Sequence, residues 1–226
     1  MIFEDWGLVS YKEALDKQLD YVNQLDLAIA DNLNHPGFLI FCTHPPVVTT
    51  GRQTQHDDVF SWPGEIIEIS RGGRATYHGP SQIVVYPIIN LKDARHNRGP
   101  QEIRGYIRAF ENAIVDTLSH FNIQATGKTI QKLPGQLKES DKTGVWVGQK
   151  KIASLGIAVK KWITYHGAAI NFYDDPNAFL GINPCGFSSS TMLNVEKIFN
   201  DRNEKIDKNF EIQFKETLKY NLMKQL

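Results

Sequence analysis

The stretch "GVWVGQKKIASLGIAV", followed at once by "WITYHGAAINF", narrows the fold more than any other part of the chain. Val145, Val147, Ile152 and Ser154 alternate around a Gly-Gln turn, the pattern of a hairpin, and the residues that follow keep an extended character. Upstream, "FLIFCT" reads as a buried strand and "HPPVVTTGR" as a loop entering a second extended piece. "EIIEIS" is a short strand that runs straight into "RGGRATYHGPSQIVVYPI", where a β-branched run resumes. Strands that are neighbours in sequence, with helices grouped rather than strictly alternating, exclude a doubly wound nucleotide fold and define an α+β domain.

Three segments carry helical spacing. Ser10 and Glu13 form a capping box ahead of Tyr11, Leu15, Val22, Leu25 and Ile29, and this helix is expected to stop near "NHPG". Between Gln101 and Phe121, Ile103, Ile107, Phe110, Ile114 and Leu118 recur three or four residues apart, with Pro100 placed to open the helix. Phe210, Phe214, Leu218 and Leu222 mark a third amphipathic helix near the C-terminus.

At 226 residues the chain fits one domain, 1–226, able to bury its own core. Lys plus Arg and Asp plus Glu both number 25, so no global field draws it to nucleic acid, and any charged partner is met locally. No apolar run reaches bilayer length and the N-terminal residues lack a targeting pattern, which gives a cytoplasmic expectation with no membrane partner. The histidines and two cysteines lack metal-ligand spacing, so no metal is expected. Cys42, inside "FLIFCT", reads as a small buried hydrophobe. Cys185, in "GINPCGFSSS", lies on irregular backbone that leaves a thiol accessible.

Gly72 and Gly73 let the backbone turn sharply and approach a ligand, with Arg71 and Arg74 on either side. On its own that is a glycine hairpin with solvated arginines; "TYHGP" beyond it adds a polar wall. Lys151 in a hairpin would by spacing alone point to solvent. Tyr-His-Gly occurs at 77–79 and again at 165–167, where Gly167, Ala168 and Ala169 leave room beside a strand. His166 reads equally as a core histidine or a ligand-facing one.

Together "HPPVVTTGR", "RGGRATYHGPSQIVVYPIINL", "KIASLGIAVKKWITYHGAAINF" and "INPCG", in that order from His44 to Gly186, resemble the lipoyl(octanoyl) transferases. The family commonly reads HGPGQ where this chain has Ser81. The resemblance implies mixed, largely antiparallel β-sheets with flanking helices, as in the biotin/lipoate protein ligase catalytic domain. It implies transfer of an octanoyl group from octanoyl-acyl carrier protein to a lysine of lipoyl domains, those of 2-oxoacid dehydrogenases and the glycine cleavage H protein, by a monomer that needs no cofactor. Cys185 would carry the acyl group as a thioester and Lys151 would work beside it. A free thiol titrates at about 8.5, and a neighbouring ammonium favours the nucleophilic thiolate.

By the same resemblance Arg71, Gly72, Gly73, Arg74, Ala75, Thr76, Tyr77 and His78 form one wall of the acyl site. Ser154, Leu155 and Gly156 form a second, and His166, Gly167, Ala168 and Ala169 a third. Lysines 138, 142, 150, 160 and 161 either guide acidic carrier domains or lie as solvated strand edges. Three rivals remain at this point. An ATP-dependent lipoate or biotin ligase would have no need of a cysteine; a non-catalytic acyl-binding protein would leave Cys185 inert; a cysteine hydrolase would need an Asn or Asp partner that is not evident.

Overall fold

The computed structural model describes residues 1–128 and 142–226. In chain order the elements are β1 (Ile2–Leu8), α1 (Tyr11–Ala30), β2 (Phe38–Thr43), β3 (Val47–Thr50), β4 (Glu65–Glu68), β5 (Thr76–His78), β6 (Gln82–Ile88) and α2 (Ile103–His120). There follow β7 (Thr126–Gly127), β8 (Gly144–Val147), β9 (Lys150–Lys160), β10 (Ile163–Asn171), α3 (Val195–Asp201) and α4 (Lys208–Gln225).

Among the described residues, one sheet runs in the order β1-β2-β6-β10-β9-β8-β7 and a small one in the order β4-β3-β5. The large sheet is antiparallel throughout except for the edge pair β1–β2. Helix α1 covers one face, where Ala14, Val22 and Leu25 pack on Ile40, Val84, Tyr86 and Ala169. Helices α2 and α4 cover the other, where Phe110, Ile114, Phe214 and Leu218 pack on Phe41, Val85 and Ile170. Fully burying each such side chain contributes about 1.5–3 kcal/mol. This is the α+β class that the strand adjacency implied, with the mixed, largely antiparallel sheets that the family resemblance implied.

Several local expectations hold and several are corrected. Ser10 caps α1 by accepting a hydrogen bond from the Glu13 N–H at 3.2 Å. The reciprocal half of the box is missing, because Glu13 instead pairs with Lys17 at 3.0 Å. Helix α2 begins at Ile103 rather than at Pro100: Gln101 has φ 57° and its N–H is committed to the Leu91 carbonyl at 2.6 Å, neither compatible with a helix interior. "EIIEIS" and "TYH" are not hairpin partners, since β4 pairs parallel and β5 antiparallel with β3 between them. The glycine loop at 71–75 is thus a crossover over β3. Cys42 is buried, and desolvation pushes its thiol pKa upward.

Candidate active site

The crossover and the strands beside it enclose an open-mouthed pocket of about 420 Å³. Its lining includes Arg71, Gly73, Thr76, His78, Ser154, Leu155, Gly156, His166, Gly167, Ala168, Ala169 and Cys185 from the expected walls. Tyr11, Val84 and Tyr86 complete it. Gly72, Arg74, Ala75, Tyr77 and Lys151 do not line it. Gly72 donates to the Ile157 carbonyl at 3.0 Å and so ties the loop to β9. Tyr77 faces a separate cluster with Phe179 and Trp62, its hydroxyl donating to Asp175 at 3.2 Å. Ala75 contributes a carbonyl that accepts the Cys185 N–H at 2.7 Å. Ser81 makes no use of a positive φ, so the departure from glycine there is accommodated without backbone strain.

Cys185 sits in the turn Pro184–Gly186 at φ 55°, a left-handed conformation that costs a non-glycine residue about 1–2 kcal/mol. The loop is held against that cost. Asn183 donates its N–H to the Asp58 carbonyl at 2.8 Å and its side-chain amide to the Asp57 carbonyl at 2.9 Å. Asp58 is buried, and its carboxylate accepts from Arg74 Nε at 2.9 Å and from Arg74 Nη2, raising the guanidinium pKa. The turn buries Cys185 to 8% exposure, correcting the expected open thiol, and places Sγ 3.7 Å from Ser154 Oγ at the pocket. Neither arginine of the crossover is fully solvated: Arg71 is 5% exposed, with Nη2 donating to the Thr49 carbonyl and hydroxyl at 3.0 and 2.9 Å.

Lys151 overturns the solvent expectation outright, at 1% exposure. Its ammonium lies 5.6 Å from the Trp146 ring and 5.8 Å from that of Phe187, two residues beyond Cys185. The alternation along the hairpin assigned this residue a face; it carried no information about which aromatic rings cover that face. Gly144, at φ 142° on β8, makes the space: a Cβ there would stand 2.6 Å from Lys151 Cε and 2.5 Å from the Ala153 carbonyl. Gly144→Ala is therefore expected to displace Lys151 and to destabilise the fold by about 1–3 kcal/mol. A denaturant melt checks this, and a variant with the parent midpoint would show that Lys151 does not need the space left at Gly144.

The polar wall is a set of buried rings. Tyr11 stacks on His78, ring centres 5.4 Å apart, and its hydroxyl hydrogen-bonds His166 Nδ1 at 3.3 Å. His44 Nδ1 lies 2.8 Å from the Val9 carbonyl and Nε2 2.7 Å from the Tyr86 hydroxyl. The alternatives left open for His166 merge, because it is buried and yet lines the pocket. Desolvation lowers the pKa of His44 from 6.5 to about 4 and that of His166 to about 3, and holds His78 well below 6.5.

Folded imidazoles are thus neutral where unfolded ones bind protons, so stability falls as pH drops below about 6.5 toward the folded values. At about pH 5 each fully buried imidazole costs about 2 kcal/mol, and the thermal midpoint is expected several degrees below its value at about pH 7. Calorimetric melts across that window check it; a flat midpoint would show these rings titrating as they do in unfolded chain.

Residues 19–217 match the model of the lipoyl protein ligase A/B catalytic domain. The chain belongs to that family. Within it the chain sits among acyl-transferring enzymes: it is 50% identical to an octanoyltransferase of Bdellovibrio bacteriovorus over 100% of this chain and 99% of that one. An octanoyltransferase of Pelobacter propionicus is 35% identical over 88% and 85% of the two chains. In structure the chain is similar to a lipoate protein ligase of Thermoplasma acidophilum solved with lipoic acid, with a TM-score of 0.66, 15% identity, and 99% and 84% of the chains covered. That last likeness bears on fold alone, whereas the sequence relatives place this chain with the octanoyltransferases, as the four motifs had indicated.

Proposed function

We propose that residues 1–226 act as one catalytic domain that moves an octanoyl group from octanoyl-acyl carrier protein to a lysine of lipoyl domains through a thioester on Cys185. The observation that carries this reading is a pocket with a cysteine held at its wall by a strained turn, beside small residues, Gly167, Ala168 and Ala169, that leave room for a hydrocarbon chain.

In the first half the Cys185 sulfur attacks the thioester carbonyl, the carrier's pantetheine sulfur leaves, and Lys151 supplies the proton that sulfur needs. In the second, the lipoyl-domain amine attacks the enzyme thioester, Lys151 accepts the proton released, and the Cys185 sulfur departs as the amide forms. Exchange of one thioester for another is nearly balanced and the amide is more stable than either, so the sequence runs forward without ATP. Arg71, Thr76 and His78 line the acyl slot on one side, Ser154, Leu155 and Gly156 on the other. Gly72 ties the loop to β9, Ala75 and Arg74 help hold the cysteine turn, and Tyr77 lies outside the slot in the cluster with Phe179.

The acceptors are the lipoyl domains of 2-oxoacid dehydrogenases and the glycine cleavage H protein, met by a monomer in the cytoplasm. No helix among the described residues is long and apolar enough to cross a membrane. Of the lysines considered for carrier docking, Lys150 donates to the Ser190 carbonyl at 2.6 Å and Lys161 pairs with Asp26 at 2.5 Å, which leaves the exposed Lys160 the freer of these three. Lys142 has partners of its own, and Lys138 lies outside the described residues.

Incubation with octanoyl-acyl carrier protein, no ATP present, is expected to add one octanoyl group to the enzyme, and a lipoyl domain added afterwards should remove it. Strict dependence on ATP would transfer the assignment to a ligase. Reversible binding without a covalent product would transfer it to a carrier-docking protein.

A further inference from the structure

Tyr11, His78, Tyr86 and His166 put aromatic rings into the pocket lining. Cys185 Sγ lies 3.7 Å from Ser154 Oγ, and Ser154 pairs with Ala169 across the sheet. His166 stands three residues back along β10, a separation of about 10 Å at strand spacing. There its Nδ1 meets the Tyr11 hydroxyl at 3.3 Å, and there too the Gly72 N–H pins the arginine loop to Ile157, the residue paired with His166. Tyr86 lines the pocket beside them. Behind both tyrosines lies His44, fully buried and absent from the lining, its ring 5.1 Å from that of Tyr11 and its Nε2 2.7 Å from the Tyr86 hydroxyl.

His166 takes part in this wall because its backbone is turned. It has φ 56° in the middle of a strand, and Ile170, which shares its alternation and is absent from the pocket lining, packs with α2 and α4 on the opposite face. Left-handed backbone at a non-glycine residue inside a strand is strained and persists where surroundings impose it. Here the imposing contacts are the Tyr11 hydroxyl and Gln18 Oε1, which accepts the His166 N–H at 2.7 Å, both from α1.

An extended eight-carbon acyl chain measures about 9 Å from carbonyl carbon to terminal methyl, close to the run from Cys185 to this wall. We infer that Tyr11 is the stop that sets acyl-chain length, with His166 and His78 as positioning residues that hold its ring across the slot. The inference rests on the thioester reading above. A longer chain attached to Cys185 meets the phenol ring, which cannot retreat because His44 stands behind it. A shorter chain leaves apolar surface of the slot uncovered and forfeits its burial.

The test is the initial rate of enzyme acylation, read by intact-protein mass, from carrier protein loaded with hexanoyl, octanoyl, decanoyl or dodecanoyl groups. The parent enzyme is expected to favour octanoyl over decanoyl. Tyr11→Ala should raise the decanoyl-to-octanoyl ratio about tenfold, the value of two methylenes newly buried. Tyr11→Leu, which keeps an apolar side chain at the first turn of α1 should alanine fail to fold, should raise it by a smaller factor. Tyr11→Phe retains the ring and should keep the parent ranking. Alanine and leucine variants that acylate with octanoyl yet keep the parent ranking would overturn the stop while leaving the thioester reading intact. A phenylalanine variant shifted as far as alanine would likewise remove the ring from the role. A parent enzyme acylated by no chain would overturn both.

Discussion

Cys185→Ala is expected to form no acyl-enzyme and to transfer octanoyl at least about a thousandfold more slowly than the parent, the scale on which loss of a covalent nucleophile acts. The substitution removes one sulfur from a turn whose hydrogen bonds, to Ala75, Asp57 and Asp58, do not involve the cysteine side chain. Folding should therefore be little changed, and a thermal melt beside the mass spectrum separates lost chemistry from lost structure. A variant that still carries octanoyl would place the thioester elsewhere; Cys42 is a poor substitute, since it is buried outside the pocket lining and its thiol pKa is pushed up. Cys42→Ala serves as the control, expected to cost stability through a small cavity and to leave acylation intact.

Lys151→Met is expected to slow both half-reactions by about a hundred to ten thousandfold, the range for a positioned proton donor and acceptor. Methionine keeps most of the side chain's volume between Trp146 and Phe187, so the aromatic enclosure should survive. Single-turnover kinetics resolve the two halves. A fall in acylation together with deacylation fits one group that supplies a proton in the first and accepts one in the second. Full activity in the methionine variant would show that Lys151 is a packing residue alone, and the proton would need another carrier.

The two results bear on how far chemistry could be read before the fold was known. Capping at Ser10, the Gly-Gln hairpin and the four-residue spacing of Phe210, Phe214, Leu218 and Leu222 are local signals, and each element formed where local physics placed it. Strand β1 leaves little trace in the sequence because it is an edge. "IFEDWGL" carries two acids in a row and is half exposed, so neither strict alternation nor a continuous apolar run marks it. The start of α2 lies beyond Pro100 for a different reason: the left-handed turn at Gln101 is tied to the Leu91 carbonyl, ten residues away.

Contiguous motifs exposed one set of site residues and hid another. Gly73, His78, Gly156 and Gly167 stand out as glycines and histidines interrupting apolar runs. Tyr11 and Tyr86 read as ordinary members of a helix stripe and a buried strand, and only tertiary packing turns their rings into the pocket. The same applies to the burial of Lys151, decided by Trp146, Phe187 and the missing side chain at Gly144 rather than by anything beside it in sequence.

The slot takes its lining from α1, β5, β6, β9, β10 and the cysteine turn, so the segments that meet there are spread from Tyr11 to Cys185. Such long-range closures come late when a chain folds, because loop entropy must be overcome before the contacts that reward it exist. Cys185 is also the most C-terminal residue of that lining, so during synthesis its sulfhydryl emerges after every other segment that borders the groove. The groove and the sulfhydryl at its wall are thereby completed together, once most of the polypeptide has been made.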